Sequence, residues 1–205
     1  MLDLFKTTGH ITYMPKPNVK EQIVRAGMTL LHSKGFNATS VQDITEAAGV
    51  PKGSFYNHFT SKEELGVEVL QRYAQQAGHI GALLGESSPP PREWLRGYFG
   101  KLVESNVASE FNAGCMLGNF STELSNQSPA IRHMARQSFA SMCAMLEEVI
   151  AQGQRDGSIT SGQPARELAN FTADAWQGAV LRAKAEKDRA PLDRFVDMLL
   201  NRILV

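Results

Sequence analysis

The sequence predicts an all-α chain of about nine helices, and three observations carry that prediction. Apolar residues recur at spacings of three and four, no alternating β-branched run appears, and cap residues and stopping glycines fall at helical intervals. With 205 residues and 42% hydrophobic content, the chain can bury substantial cores.

Asn18 followed by Glu21 has the pattern of a capping box, and Val19, Ile23, Ala26, Leu30 and Leu31 then form a helical stripe that Gly35 stops. Thr39 or Ser40 caps a second helix of about two turns, with Asp43 near its positive end and Gly49 beyond it. Pro51 suits the first turn of a third short helix reaching Phe59. Ser61 with Glu64 caps a fourth that runs to about Leu84. The segment GESSPPPREW (85–94) breaks it, because proline cannot continue a helix. Further helices are expected over 92–108, 115–125, 129–155, 164–187 and 191–204, the third of these capped by Ser128 and closed by Gly157.

The bulk properties exclude several classes. No 18-residue apolar run is present and MLDLFKTTGHITYMPKP lacks the features of a secretory leader, so the expectation is a cytoplasmic protein without a membrane partner. Cys115 and Cys143 are the two cysteines, without the spacing of a zinc site or a disulfide framework; no metal and no cofactor is expected. Net charge is zero, and residues 1–66 carry seven Lys/Arg against six Asp/Glu, so any claim of nucleic-acid binding must rest on local geometry.

That geometry lies in VPKGSFYNHFTSKEEL (50–65), where Phe55, Tyr56, His58 and Phe59 crowd five positions. Two short helices joined by a turn after Gly49 outline a helix-turn-helix. Phe55 and Phe59, four apart, share one face and can plug a core. Lys52, Ser54, Tyr56, Asn57 and His58 are left outward, a set of donors suited to phosphates and base edges, with Asn57 placed for an adenine edge. Gly53 lets the helix start approach a DNA backbone closely, and Lys62 with the start of the fourth helix offers a further phosphate contact. The competing reading is a small helical subdomain whose rings are only core and surface.

The stretch Val19 to about Tyr73, with TSVQDITEAAGVPKGSFYNHFTSKEEL at 39–65, resembles the DNA-binding domain of the TetR family of bacterial transcriptional repressors. The resemblance implies an all-helical homodimer that binds double-stranded operator DNA. It divides the chain into an N-terminal arm and helix-turn-helix domain (1–66) and a helical effector-binding and dimerisation domain (67–205). It also places Thr39 or Ser40, Lys52, Ser54, Tyr56, Asn57, His58 and Lys62 at the DNA.

Toward the C-terminus a pair of helices carries wide apolar faces: Leu168, Thr172, Ala175, Trp176, Ala179 and Ala183, then Leu192, Phe195, Val196, Leu199, Leu200 and Ile203. They pack either against a second copy as a four-helix bundle or wholly within one subunit. Cys115, beside Gly114 near a helix start, is either a reactive thiol favoured by the local dipole or a small apolar filler. Cys143 reads as filler. Gly114-Cys115, SPAIR at 128–132 and WQGAVLRAKAEKDRAPLDRF at 176–195 are similar to TetR-type repressors that respond to reactive electrophiles and oxidants through a cysteine. The implied effector is therefore a small molecule or an electrophile acting at Cys115, with Trp176 and Lys184 as associated residues. A pocket for a small organic acid without redox chemistry is the alternative, and a cysteine-nucleophile enzyme a remote one. Trp176 can equally be a core residue and Lys184 a solvated charge. The fourth helix, with its start at the DNA and its end (80–84) at the C-terminal domain, is the expected line of communication.

Overall fold

The computed structural model describes residues 18–85 and 89–205, and among them nine α-helices and no strand occur. The arm at 1–17, the centre of the proline-rich break at 86–88 and the side chains of 77–85 lie outside the described residues. The helices are α1 (Val19–Lys34), α2 (Val41–Ala47), α3 (Lys52–Tyr56), α4 (Lys62–Gly85), α5 (Pro91–Ala108), α6 (Met116–Leu124), α7 (Pro129–Asp156), α8 (Ala165–Glu186) and α9 (Ala190–Met198), the last continuing as a π turn over Leu199–Ile203.

The caps explain most of these boundaries. Ser40 and Asp43 form a reciprocal capping box at α2, the Ser40 hydroxyl accepting from Asp43 N–H at 3.1 Å and the Asp43 carboxylate from Ser40 N–H at 2.7 Å. Ser128 accepts from Ile131 N–H at the start of α7, and Gly157 ends that helix at φ 79°. Asn18 does cap α1, but by accepting from Lys20 N–H, and Glu21 does not complete a box. Its carboxylate instead takes both guanidinium ends of Arg72 at 2.6 and 2.7 Å, tying α1 to α4. At α4 the Ser61 hydroxyl accepts from Glu64 N–H as expected, while Glu64 reaches one residue further back, to Thr60 N–H. Regular α3 ends at Tyr56, and the His58 and Phe59 amides, both on the Phe55 carbonyl, carry one more turn to the expected end.

Two apolar cores result. One gathers Ile23, Val24, Leu31, Ile44, Phe55, Phe59, Leu65 and Val69 from the first four helices, and continues without a break into Met116, Leu117, Phe120 and Leu124 of α6 and Ile131 of α7. The packing therefore does not divide at residue 66. The other core joins α5, the far half of α7, α8 and α9 through Trp94, Tyr98, Phe99, Leu146, Ile150, Trp176, Val180 and Phe195.

The apolar stripes of the last two helices divide between the two packings that their spacing leaves open: Ala175, Ala179, Val196 and Ile203 are only half-buried. Leu168, Thr172, Trp176, Ala183, Leu192, Phe195, Leu199 and Leu200 are buried within the single subunit. Phe171 and Met198, 53% and 50% exposed, lie with Ala175, Ala179 and Ile203 along one outward groove, and Leu181, 69% exposed, stands outside it.

Phe55 is fully buried, so Phe55→Ala opens a cavity expected to cost about 3–5 kcal/mol. Denaturant unfolding followed by circular dichroism measures that loss.

Candidate nucleic-acid interface and cysteine cavity

A helix of five residues has no stability of its own, so α3 is placed by what it buries. Phe55 and Phe59 are 0% and 3% exposed with rings 5.6 Å apart, which fixes the opposite edge outward. Lys52, Gly53, Tyr56, Asn57 and His58 are exposed and Ser54 is half-buried. The division of the four rings expected from their spacing is the one observed.

Two other residues expected at the DNA are engaged elsewhere. Thr39 is 1% exposed and its hydroxyl donates to the Gly35 carbonyl at 2.8 Å. Of the pair Thr39 and Ser40, only Ser40 reaches the surface, and its hydroxyl serves the α2 cap. The Lys62 ammonium donates to the carbonyls of Phe36 and Thr39 at 2.9 and 2.8 Å and lies 4.3 Å over the Phe36 ring. Burial pushes its pKa down. Lys62 therefore holds the loop between α1 and α2 from inside, where a free phosphate-binding cation was expected.

Cys115 occupies the N-cap position of α6 and is partly buried against both cores. Its sulfur receives the Gln177 amide at 3.5 Å and the Tyr73 hydroxyl at 3.9 Å. On its inner side is a cavity of about 210 Å³ walled by Tyr73, Tyr98, Asn106, Met142, Trp176 and Gln177. On its outer side is a more open groove reaching Lys34, Glu123 and Lys184. Trp176 is both core and wall: it is 4% exposed, packs 5.2 Å from the rings of Phe99 and Phe195, and borders the cavity. Lys184 shares the outer groove with Cys115, and its ammonium lies 3.4 Å from the Ala113 carbonyl, two residues before the thiol. Burial and the neighbouring Lys187 lower its pKa.

These features match known proteins along nearly the whole chain. Residues 91–199 match the family described as tetracyclin repressor-like, C-terminal domain, and residues 23–69 match bacterial regulatory proteins of the tetR family. The repressor DhaR of Mycobacterium sp. (strain GP1) is 38% identical over 192 residues, covering 93% of this chain and 95% of the relative. The chain belongs to the TetR family of transcriptional regulators. Two solved members of this family superpose closely. A regulatory protein TetR from Rhodobacter sphaeroides is 26% identical with a TM-score of 0.86, covering 91% of this chain and 99% of that one. The reduced form of NemR from Escherichia coli is 26% identical with a TM-score of 0.80, covering 92% and 98%.

In this TetR-family chain the cysteine's surroundings include groups that local sequence does not announce. His32, at the end of α1, places Nε2 3.0 Å from the Gly114 carbonyl. A carbonyl only accepts, so that nitrogen carries the proton. Its ring meets Tyr73 edge-on at 5.2 Å. A histidine distant in sequence thus reaches the residue beside Cys115 and borders the same cavity. Tyr98 is pushed up to about 12 by burial and then by the nearby cysteine, and Tyr73 is raised well above its ordinary value for the same reasons. Both phenols remain protonated donors at neutral pH. His32 and Gln177 lie 82 and 62 residues from the sites they contact, a separation no local pattern encodes.

Burial, followed by the charge of Lys184, lowers the His32 pKa from 6.5, while the bond to Gly114 opposes the shift. Below 6.5 the unfolded chain takes up a proton that the folded chain resists, so this contribution to stability is present above that pH and lost as pH falls through the folded-state pKa. Thermal melts between pH 7.5 and 5 are expected to show the midpoint falling, with a shallower slope in His32→Gln.

Proposed function

We propose that this TetR-family repressor acts in the cytoplasm as a homodimer, holding double-stranded operator DNA through α3 of each subunit and releasing it when a small electrophile or oxidant modifies Cys115. The carrying observation is the position of that thiol: at the start of α6, against both cores, with two donors aimed at its sulfur. These donors fix the orientation of the sulfur between the two cores. With a conjugated electrophile, the sulfur lone pair forms an S–C bond and the displaced π pair takes a proton from water. With a peroxide-type oxidant, the sulfur attacks one peroxide oxygen, an S–O bond forms as the O–O bond breaks, and the reduced oxygen leaves as water or an alcohol after taking up a proton, so that a sulfenic acid remains. The relative NemR, solved in a form named as reduced, supports a redox reading.

The exposed polar edge of α3 supports the DNA role. Asn57 is proposed to read a base, with Lys52, Ser40, Ser54, Tyr56 and His58 on phosphates or adjacent edges and Gly53 giving close approach. The outward groove at Phe171, Ala175, Ala179 and Met198 is the face proposed to pair with a second copy, setting two heads about 34 Å apart on one side of the duplex. The division into residues 1–66 and 67–205 is one of task, DNA reading and effector response.

A second reading keeps the repressor and replaces modification by non-covalent binding of a small ligand. The inner cavity favours it, being smaller than the roughly 300–1,000 Å³ of drug-sized clefts and so suited to few heavy atoms. A small organic acid would find its cations at Lys34 and Lys184 in the outer groove, since uncharged groups wall the inner one. A cysteine-nucleophile enzyme fits poorly, because the groups donating to the sulfur are a phenol and an amide, while His32 engages Gly114.

Cys115→Ser is expected to bind a duplex selected from a random library as the parent does, and to lose its response to N-ethylmaleimide. An unchanged response would move the effector reading to the non-covalent account. On the same duplex and its single-base variants, Asn57→Ala is expected to relax preference at one base pair by about 1–3 kcal/mol, whereas Tyr56→Phe weakens all variants alike. Equal losses across every variant for Asn57→Ala would remove its base-reading role.

A further inference from the structure

The loop joining α1 to α2 is held from both electrical sides by helices that do not belong to it. From α6, the Glu123 carboxylate accepts from Phe36 N–H at 3.1 Å and Asn37 N–H at 2.8 Å. From the first residue of α4, the Lys62 ammonium donates to the Phe36 and Thr39 carbonyls. The loop's donors thus face an anion and its acceptors a cation. Phe36 is wedged between the two helices, 4.3 Å under Lys62 and edge-on to Phe120 of α6 at 5.8 Å.

Gly35 gives an independent sign that the carboxylate sits where the fold requires it. Its φ is 91°, and a Cβ there would lie 2.6 Å from the Glu123 carboxylate oxygen. Both the backbone angle and the space exclude a side chain. The loop leads directly into α2, whose packing under Phe55 orients α3.

At its other end, α6 begins at Cys115, and the preceding Gly114 carbonyl is bonded to His32 of α1. One nine-residue helix therefore carries the thiol at its start and the loop's carboxylate at its penultimate residue. It is too short to bend appreciably, so a displacement at one end must appear at the other.

We propose that Glu123 and Lys62 form a two-pole clamp on the α1–α2 loop, and that this clamp is the positioning device through which the state of Cys115 reaches α3. The proposal rests on the reading that Cys115 governs operator release. Modification shifts the start of α6, Glu123 moves with it, and the two amides it holds lose their acceptor while Lys62 keeps the carbonyls. The loop then turns about Lys62 and carries α2 and α3 out of register with the groove. Glu123 borders the outer groove beside Cys115, but both of its carboxylate oxygens are taken by the loop amides, and its role here is to position the loop.

The test uses the full chain in a Cys143→Ser background, so that N-ethylmaleimide meets one thiol. Operator affinity is measured with and without modification, on the library-selected duplex, for the parent and for Glu123→Gln, whose amide keeps the size but accepts at one terminal atom only. The parent ratio is expected to fall in the range of roughly 5–150-fold typical of coupled sites, and the Glu123→Gln ratio to drop to within about 2-fold of unity. Hydrogen exchange at the Phe36 and Asn37 amides should accelerate on modification of the parent. A purely structural role would lower both affinities and leave their ratio intact. If Glu123→Gln does not fold, Lys62→Met takes its place in the same comparison. A responsive parent with an equally responsive variant overturns the clamp and spares the Cys115 reading. A parent unmoved by modification overturns both.

Discussion

The helix proposed to read DNA is too short to exist alone. α3 spans five residues, against the roughly 12–15 that an isolated helix needs to be even marginal in water. Its orientation is the orientation of Phe55 and Phe59 in the core beneath, and that core takes side chains from α1, α2, α4, α6 and α7. The DNA-reading head is therefore not an independent body carried on a stalk. Four of these five helices, α1, α4, α6 and α7, also line the cysteine cavity.

That arrangement bears on how an effector could act. A ligand shifts an equilibrium only by its unequal interaction with the two states. In a head with its own closed core, the signal would have to travel through α4 alone. Here α6 contributes Met116, Leu117, Phe120 and Leu124 to the head, and α1 contributes His32 to the cysteine cavity. The two regions exchange walls, and repacking one necessarily disturbs the other.

What was legible in the sequence divides along the same line. Features set within a few residues could be read: the Ser40–Asp43 box, the Ser128 cap with its closing Gly157, and the two-faced aromatic cluster of α3. Features set by residues distant in the chain could not. A lysine at a helix start looks like a phosphate ligand until the structure folds the carbonyls of Phe36 and Thr39, more than twenty residues earlier, onto it. Thr39 and Ser40 are indistinguishable as caps until one of them is buried. The stripes on α8 and α9 show that an apolar face wants covering, but nothing in their spacing says whether the cover comes from the same chain.

The position of Cys115 between two close-packed cores makes a small chemical change large in consequence. Interiors are packed like organic crystals, and inserting even a few heavy atoms into a filled site costs about 1–3 kcal/mol in displaced side chains and backbone. Allosteric couplings are commonly of that same size, about 1–3 kcal/mol. A thiol in an open, solvated position would add its adduct into water and disturb nothing. On the proposed reading, an adduct at Cys115 that turns inward, into the cavity of about 210 Å³ and away from the open outer groove, strains the core on either side, and α6, capped by that same residue, is the nearest element to relieve it.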